Sequence, residues 1–222
     1  MLIGDAAVGL LAAGLVVFFL LPGTRSLYES AYSAAPILLS FVKFALLATG
    51  GEWIARRIKE RSYSLKSFGI LPKSIIWGVL GIFIYWAFLI FGNGVAAAFP
   101  ALQSTETFWG KLLLAFLTSV FMNLIFSPVL MLTHHLTDNR IKLNSGRFPL
   151  KGQPIQPLLE TIDWQRMWGF VFKKTIPYFW IPAHTITFLL PPHYRVLYAA
   201  LLSVALGILL GVAGKHNQVP KQ

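Results

Sequence analysis

Residues 75–99 read IIWGVLGIFIYWAFLIFGNGVAAAF, an uncharged run in which only Asn93 and the tyrosine and tryptophan tips are polar. The hydrocarbon core of a bilayer is about 30 Å thick and takes roughly 20 apolar residues as a helix. This stretch is long enough to cross it. Working outward, Leu112 to Leu132 is a second such run, followed by the polar string His134-His135-Leu136-Thr137-Asp138-Asn139-Arg140. Ala34 to Gly51, Val196 to Gly214 and Leu2 to Leu21, the last ended by Pro22-Gly23, are further candidates. Thr175 to Leu190 is shorter and holds Pro177, Pro182 and His184.

Composition agrees. Of 222 residues, 56% are hydrophobic and 12% charged, with a mean hydropathy of +0.65, whereas soluble domains carry about 25% charged residues. The expected fold is an all-α polytopic membrane helix bundle of about six transmembrane helices. It forms a single integral membrane domain over 1–222, with 1–33 an additional N-terminal span. The first run has no Lys or Arg before it and carries Asp5, so it is read as an anchor rather than a cleaved signal. Residues 133–167 are expected to be a cytoplasmic loop. A short interfacial helix closes that loop, with Pro157 at its start and Leu158, Leu159 and Ile162 on one side.

Charge placement sets the orientation. With six spans, one side holds Arg56, Arg57, Lys59, Arg61, Lys66, Lys73, Arg140, Lys142, Arg147, Lys151, Arg166, Lys173, Lys174, Lys215 and Lys221. The other side holds only Arg25, Lys111 and Arg195, and Lys43 lies inside a span. Cytoplasmic loops are enriched in Lys and Arg, so both termini are expected on the cytoplasmic side. The net charge of +11 is thereby assigned to membrane lipids, with the basic loops facing anionic headgroups, and not to nucleic acid. The membrane is expected to be a bacterial cytoplasmic membrane, or an organellar inner or peroxisomal membrane in a eukaryote. Absence of cysteine removes disulfides and thiolate chemistry.

Charged or strongly polar side chains in hydrocarbon are costly and mark function. Lys43, Asn93, Asn123 and His184 lie within spans and Asp5, Glu52, Lys173 and Lys174 at span ends; of these, Lys43, Glu52, Asn123 and His184 are candidates for lining a pore or cavity. Lys43 either lines a cavity or pairs with Asp5 or Glu52. Glu52 and Arg56 stand at helical ion-pair spacing. This pair is similar to the Glu-x-x-x-Arg of CPBP-type intramembrane proteases, although Gly51 replaces their second Glu. His134, His135 and Asp138 have metal-ligand spacing without an identifiable further ligand, so no metal is assigned. Ser203, Gly207 and Gly211 form a small-residue stripe for helix packing, either within the chain or in a homo-oligomer. No nucleotide loop or nucleophile elbow occurs; the chain is read as a non-enzyme without catalytic residues or cofactor.

The stretch from Trp180 through Pro182, Phe188 and Pro192 to Arg195 resembles the W-P-x-x-Q-x-x-N-F-x-x-V-P-x-x-x-R signature of the Mpv-seventeen family of peroxisomal and mitochondrial inner-membrane proteins. His184 or Thr185 stands where that family has Gln, and Thr187 where it has Asn. Gly51-Glu52, Gly81 with Tyr85-Trp86, Asn123 with Pro128, and Asp163-Trp164 follow the family's order, so residues 34–214 resemble a distant bacterial-type relative. The resemblance implies a poorly selective small-solute channel tied to metabolite or redox homeostasis. Two alternatives stand beside it: a non-conducting membrane scaffold, and an intramembrane enzyme built on Glu52 or His134 and His135.

Overall fold

Prolines punctuate this chain, and the helices follow them. The computed structural model describes residues 2–148 and 154–216, and among these residues there are helices and no strands. Helices α1 (Leu2–Leu20) and α2 (Pro22–Ala34) are bent by 85° at Leu21. Then come α3 (Pro36–Glu60), α4 (Ile70–Ala98), the single turn α5 (Pro100–Gln103) and α6 (Phe108–Leu143). Short α7 (Ile155–Glu160) and α8 (Trp164–Arg166) lead into a π-helix (Met167–Trp180), which continues as α9 (Ile181–Leu189); α10 is Pro192–His216. Pro22, Pro36, Pro100 and Pro192 all sit in first turns, where the missing N–H has no intrahelical partner to lose.

Four helices are long and apolar enough to cross a membrane: α3, α4, α6 and α10 over Pro192–Val212; α1 and α2 add a fifth if the bent pair is one span. The expected span at 175–190 is outside this group. Residues 164–189 are helical throughout, but the run passes from π- to α-helix and contains Lys173, Lys174, Pro177, Pro182 and His184. It lies beside α6 in the opposite direction, from Thr161 bonded to Asn139 at one end to His184 bonded to Asn123 at the other.

The same kind of pairing orients every long helix. Asp5 meets Arg57, and Phe19 meets Tyr194, so α1 runs against α3. Lys73 meets Glu52 and Asp138, so α4 runs against both α3 and α6. The ends of α3, α6 and α10 and the start of α1 thus share one end of the bundle, the end that carries the basic loops. Lys151 and Lys221 of the charge tally lie outside the described residues.

Helices α3 and α10 run parallel in close contact. A Cβ on Gly51 would stand 2.8 Å from Val204 Cα, one on Gly207 3.2 Å from the Gly51 carbonyl oxygen, and one on Gly211 3.2 Å from that of Ala55. Gly207 and Gly211 of the Ser203/Gly207/Gly211 stripe therefore pack inside the chain, against α3, while Ser203 borders cavity space. Phe44, Trp77, Ile84, Phe88, Met122, Phe188 and Val196 fill the centre of the bundle, while Phe83, Trp86 and Ile90 of α4 are exposed as a lipid-facing surface.

Two boundaries move. The polar string after 132 is not loop: α6 has 36 residues, about 54 Å at 1.5 Å each, so its end stands beyond a hydrocarbon layer of roughly 30 Å. His134 to Leu143 are its last helical turns. The helix expected from Pro157 begins at Ile155 and ends at Glu160, with Leu158 buried; Trp164 opens the next helix, where Asp163 Oδ1 accepts from the Arg166 backbone N–H at 2.9 Å.

Candidate functional site

The candidate site stands at the basic end, where three helices bring their charges into one place. Lys73, near the start of α4, donates through Nζ to Glu52 Oε2 of α3 at 2.6 Å and to Asp138 Oδ1 of α6. The Trp77 indole N–H, one turn further along α4, donates to Glu52 Oε1 at 2.8 Å, and His134 Nε2 stands 3.2 Å from the same oxygen. Lys142 Nζ pairs with the second oxygen of Asp138 at 2.6 Å. The side chain of Lys73 is only 7% exposed. Removing one member of such a cluster leaves its partners as uncompensated charges.

Glu52, Trp77, His134 and Lys142 of this cluster form one wall of a cavity of about 390 Å³ lined by residues of α3, α4, α6, the π-helix and α10. Thr161, Asp163 and Arg166, all exposed, are at its mouth. A second cavity of about 680 Å³ adjoins it, sharing Glu52, Lys142 and Arg166 and adding Arg56 and Lys59. Further along the bundle interior, a void of about 40 Å³ lies among Phe44, Trp77, Phe88, Met122, Trp180 and His184. Space is ample on the basic side and closed by aromatic packing beyond it.

Asn123 and His184 are brought together. Asn123 is fully buried and donates through Nδ2 to the Ser119 carbonyl and hydroxyl, while its Oδ1 accepts from Ser127 Oγ. That assignment makes His184 Nδ1, 3.1 Å from Oδ1, the donor. Trp180 stacks on the His184 ring. The arrangement ties α6 to α9.

The remaining motif positions shape the turn into α10. Pro182 stands in the first turn of α9 and Pro192 opens α10. Arg195 reaches back to donate to the carbonyls of Leu190 and Phe188 at 3.0 and 3.1 Å, satisfying helix-end acceptors, and lies over the Phe188 ring.

Several expectations are corrected. Lys43 pairs with neither Asp5 nor Glu52 and lines none of these cavities. Its Nζ donates to Tyr28 Oη at 3.2 Å and lies over the rings of Tyr28 and Tyr32, because this face of α3 meets α2 and not the bundle interior. A cavity shared by Lys43, Asn123 and His184 is not formed. Glu52 does not pair with Arg56, which bonds Glu60 instead; Glu52 faces α4 and α6. Asp5 pairs with Arg57 and accepts from Tyr63 at 2.6 Å, which pushes the Tyr63 hydroxyl above its ordinary range. Asn93, Lys173 and Lys174 are exposed.

Lys73 and Trp77 are the residues that sequence reasoning passed over, and Asp138, read from the sequence only for its spacing from His134, proves to be an ion-pair partner of Lys73. Lys73 counted only as a loop cation, yet it sits one helical turn before Trp77 at the edge of the uncharged run. A cation there must either leave the membrane or find carboxylates. Among the described residues, no group of three or more His, Asp or Glu side chains is placed to hold a metal ion. Comparison with family models, curated proteins and solved structures finds no match.

Proposed function

We propose that this membrane protein is a small-solute conduit held in a closed state that is open on its basic side. The observation that carries the reading is the 390 Å³ cavity above Glu52 and His134, blocked toward the other face by Phe44, Trp77, Phe88 and Met122. Its volume lies in the roughly 300–1,000 Å³ range of small-ligand sites. Lys59, Lys142 and Arg166 at the rim raise the local concentration of anions. The resemblance to the Mpv-seventeen family supports the same reading.

Proteoliposomes test it. Wild type is expected to pass small anions faster than empty liposomes, and Lys43→Met to pass them with the same preference, because Lys43 is packed against Tyr28 and Tyr32. No flux above empty liposomes would remove the conduit reading; a changed preference in Lys43→Met would return that residue to the path.

A second reading has one observation in its favour. The approach of His134 Nε2 to Glu52 Oε1 is the geometry of a hydrolytic carboxylate and imidazole at a cavity wall. Glu52, however, already takes Lys73, Trp77 and His134 on its two oxygens. A carboxylate has about four acceptor positions, so little remains to activate water. The conduit is the better fit.

A further inference from the structure

Four residues, Trp77, Met131, Trp180 and Ser203, line both the 390 Å³ cavity and the 40 Å³ void beyond it. They are the partition between the two spaces. Three of them are satisfied where they stand. The Trp77 indole N–H donates to Glu52 at 2.8 Å, and its ring packs on Phe44 and His134. The Ser203 hydroxyl donates to the Ala200 carbonyl at 2.6 Å, and Met131 has no donor to satisfy.

Trp180 is the exception. The residue is 7% exposed, yet its indole N–H has no hydrogen-bond partner among the described residues. An indole N–H can only donate, and a buried donor left unbonded is a cost. What keeps the ring in place is its stack on His184, with centroids 5.1 Å apart and planes at 26°. Aromatic stacking and an unmade hydrogen bond are of similar size and opposite sign. The position of Trp180 is therefore held by a small difference.

The backbone assigns any movement to the side chain. Ser119 Oγ donates to the Ile181 carbonyl at 2.7 Å, and His184 is bonded to Asn123, so the chain just after Trp180 is anchored to α6. Trp180 itself is the last residue of the π-helix, where the Ile181 N–H reaches back five residues to the Ile176 carbonyl. Such turns are rare and recur at functional sites. On the cavity side the ring borders open space, and Val171 and Thr175 of the same wall are only half-buried.

We propose that the Trp180 side chain is a movable gate between the cavity and the interior void. It is closed while the ring lies on His184 and open when the ring turns into the cavity, where its N–H reaches solvent and gains a partner. His184, held by Asn123, is the seat against which the gate closes, which gives this buried polar pair a use at the centre of the bundle. Phe44, Phe88 and Met122 remain as a second barrier beyond it. The gate regulates the proposed conduit and rests on that reading for its purpose, but the movement itself requires no solute to cross the membrane.

Thiol modification tests it, since the chain has no cysteine. Ser127 is 4% exposed and lines the void but not the cavity; Asn139 lies on the cavity wall. The full-length protein in proteoliposomes, carrying Ser127→Cys or Asn139→Cys, is treated from the basic side with sulfonatoethyl methanethiosulfonate, a small anionic reagent. The rate at residue 127 is divided by the rate at residue 139 in the same background. Behind the native Trp180, residue 127 is expected to react slowly but measurably. Trp180→Ala should raise the ratio at least about tenfold. Trp180→Phe keeps a ring for the stack and has no N–H to satisfy, so it should lower the ratio at least about fivefold. A passive plug predicts the reverse, because a smaller ring leaks more. Trp180→Phe is the conservative change and decides the matter even if Trp180→Ala lowers stability. An equal or higher ratio in Trp180→Phe, or a residue 127 that never reacts behind the native Trp180, overturns the proposal. Anion flux from the same preparation reports separately on the conduit: gated labelling without flux removes conduction and keeps the gate, and flux with an ungated residue 127 does the opposite.

Discussion

Lys73 holds two carboxylates from two different helices, and it does so almost without contact with solvent. Lys73→Met leaves Glu52 and Asp138 near one another with no cation between them, a loss expected to cost about 3–5 kcal/mol. Lys142→Met removes a lysine whose side chain is 63% exposed, and the expected cost is below about 1 kcal/mol. Unfolding of the two variants in detergent compares them directly; equal effects would mean that the Lys73 cluster is not the buried support described. The contrast also shows which part of the site was readable in advance. Glu52 and His134 are conspicuous as polar residues in or beside apolar runs. Their partnership with Lys73 and Asp138 is not, because these residues lie 21 and 65 positions apart in sequence and only the packing of α4 between α3 and α6 joins them. Lys43 erred in the opposite direction: its depth in a span was legible, but the tyrosines that cover it come from α2, a helix lying outside the apolar runs.

At the scale of elements, apolar run length located α3, α4, α6 and α10, since hydrocarbon thickness acts on length and composition alone. The same criterion could not place the end of α6. A helix continues into water while its backbone bonds and side-chain pairs hold, and His134, Asp138 and Lys142, each four residues apart, supply such pairs with α3, with α4 and along α6 itself. The small-residue stripe was legible as a packing surface, but its partner was not; the structure gives it α3. Gly207→Leu must push a side chain into the Gly51 backbone, whose carbonyl oxygen is 3.2 Å from an ideal Cβ and belongs to no flexible group. The expected result is destabilisation of about 1–3 kcal/mol in the monomer, read as a lower melting temperature that is independent of protein concentration. A loss confined to an oligomer, with the monomer melting unchanged, would place this stripe between chains.

For the molecule as a whole, the antiparallel sequence of helices and the basic loops converge on one end. That end holds the start of α1, the 61–69 turn, the segment after α6 and the end of α10, and it is the end at which the cavity over Glu52 and His134 has its mouth. The opposite end holds α2, the turn at α5 and the Leu190 break, with aromatic side chains closing the path between. Since the chain has no cysteine, single cysteines report the arrangement without background. Asn139→Cys lies in the cavity wall, Ser64→Cys in the basic turn and Ser104→Cys in the opposite turn. In sealed vesicles of known orientation, a membrane-impermeant thiol reagent is expected to label residues 139 and 64 from the same side and residue 104 only from the other. Labelling of residue 139 from the side that labels 104, or labelling of 64 and 104 from one side, would contradict a membrane protein whose cavity opens at its basic end.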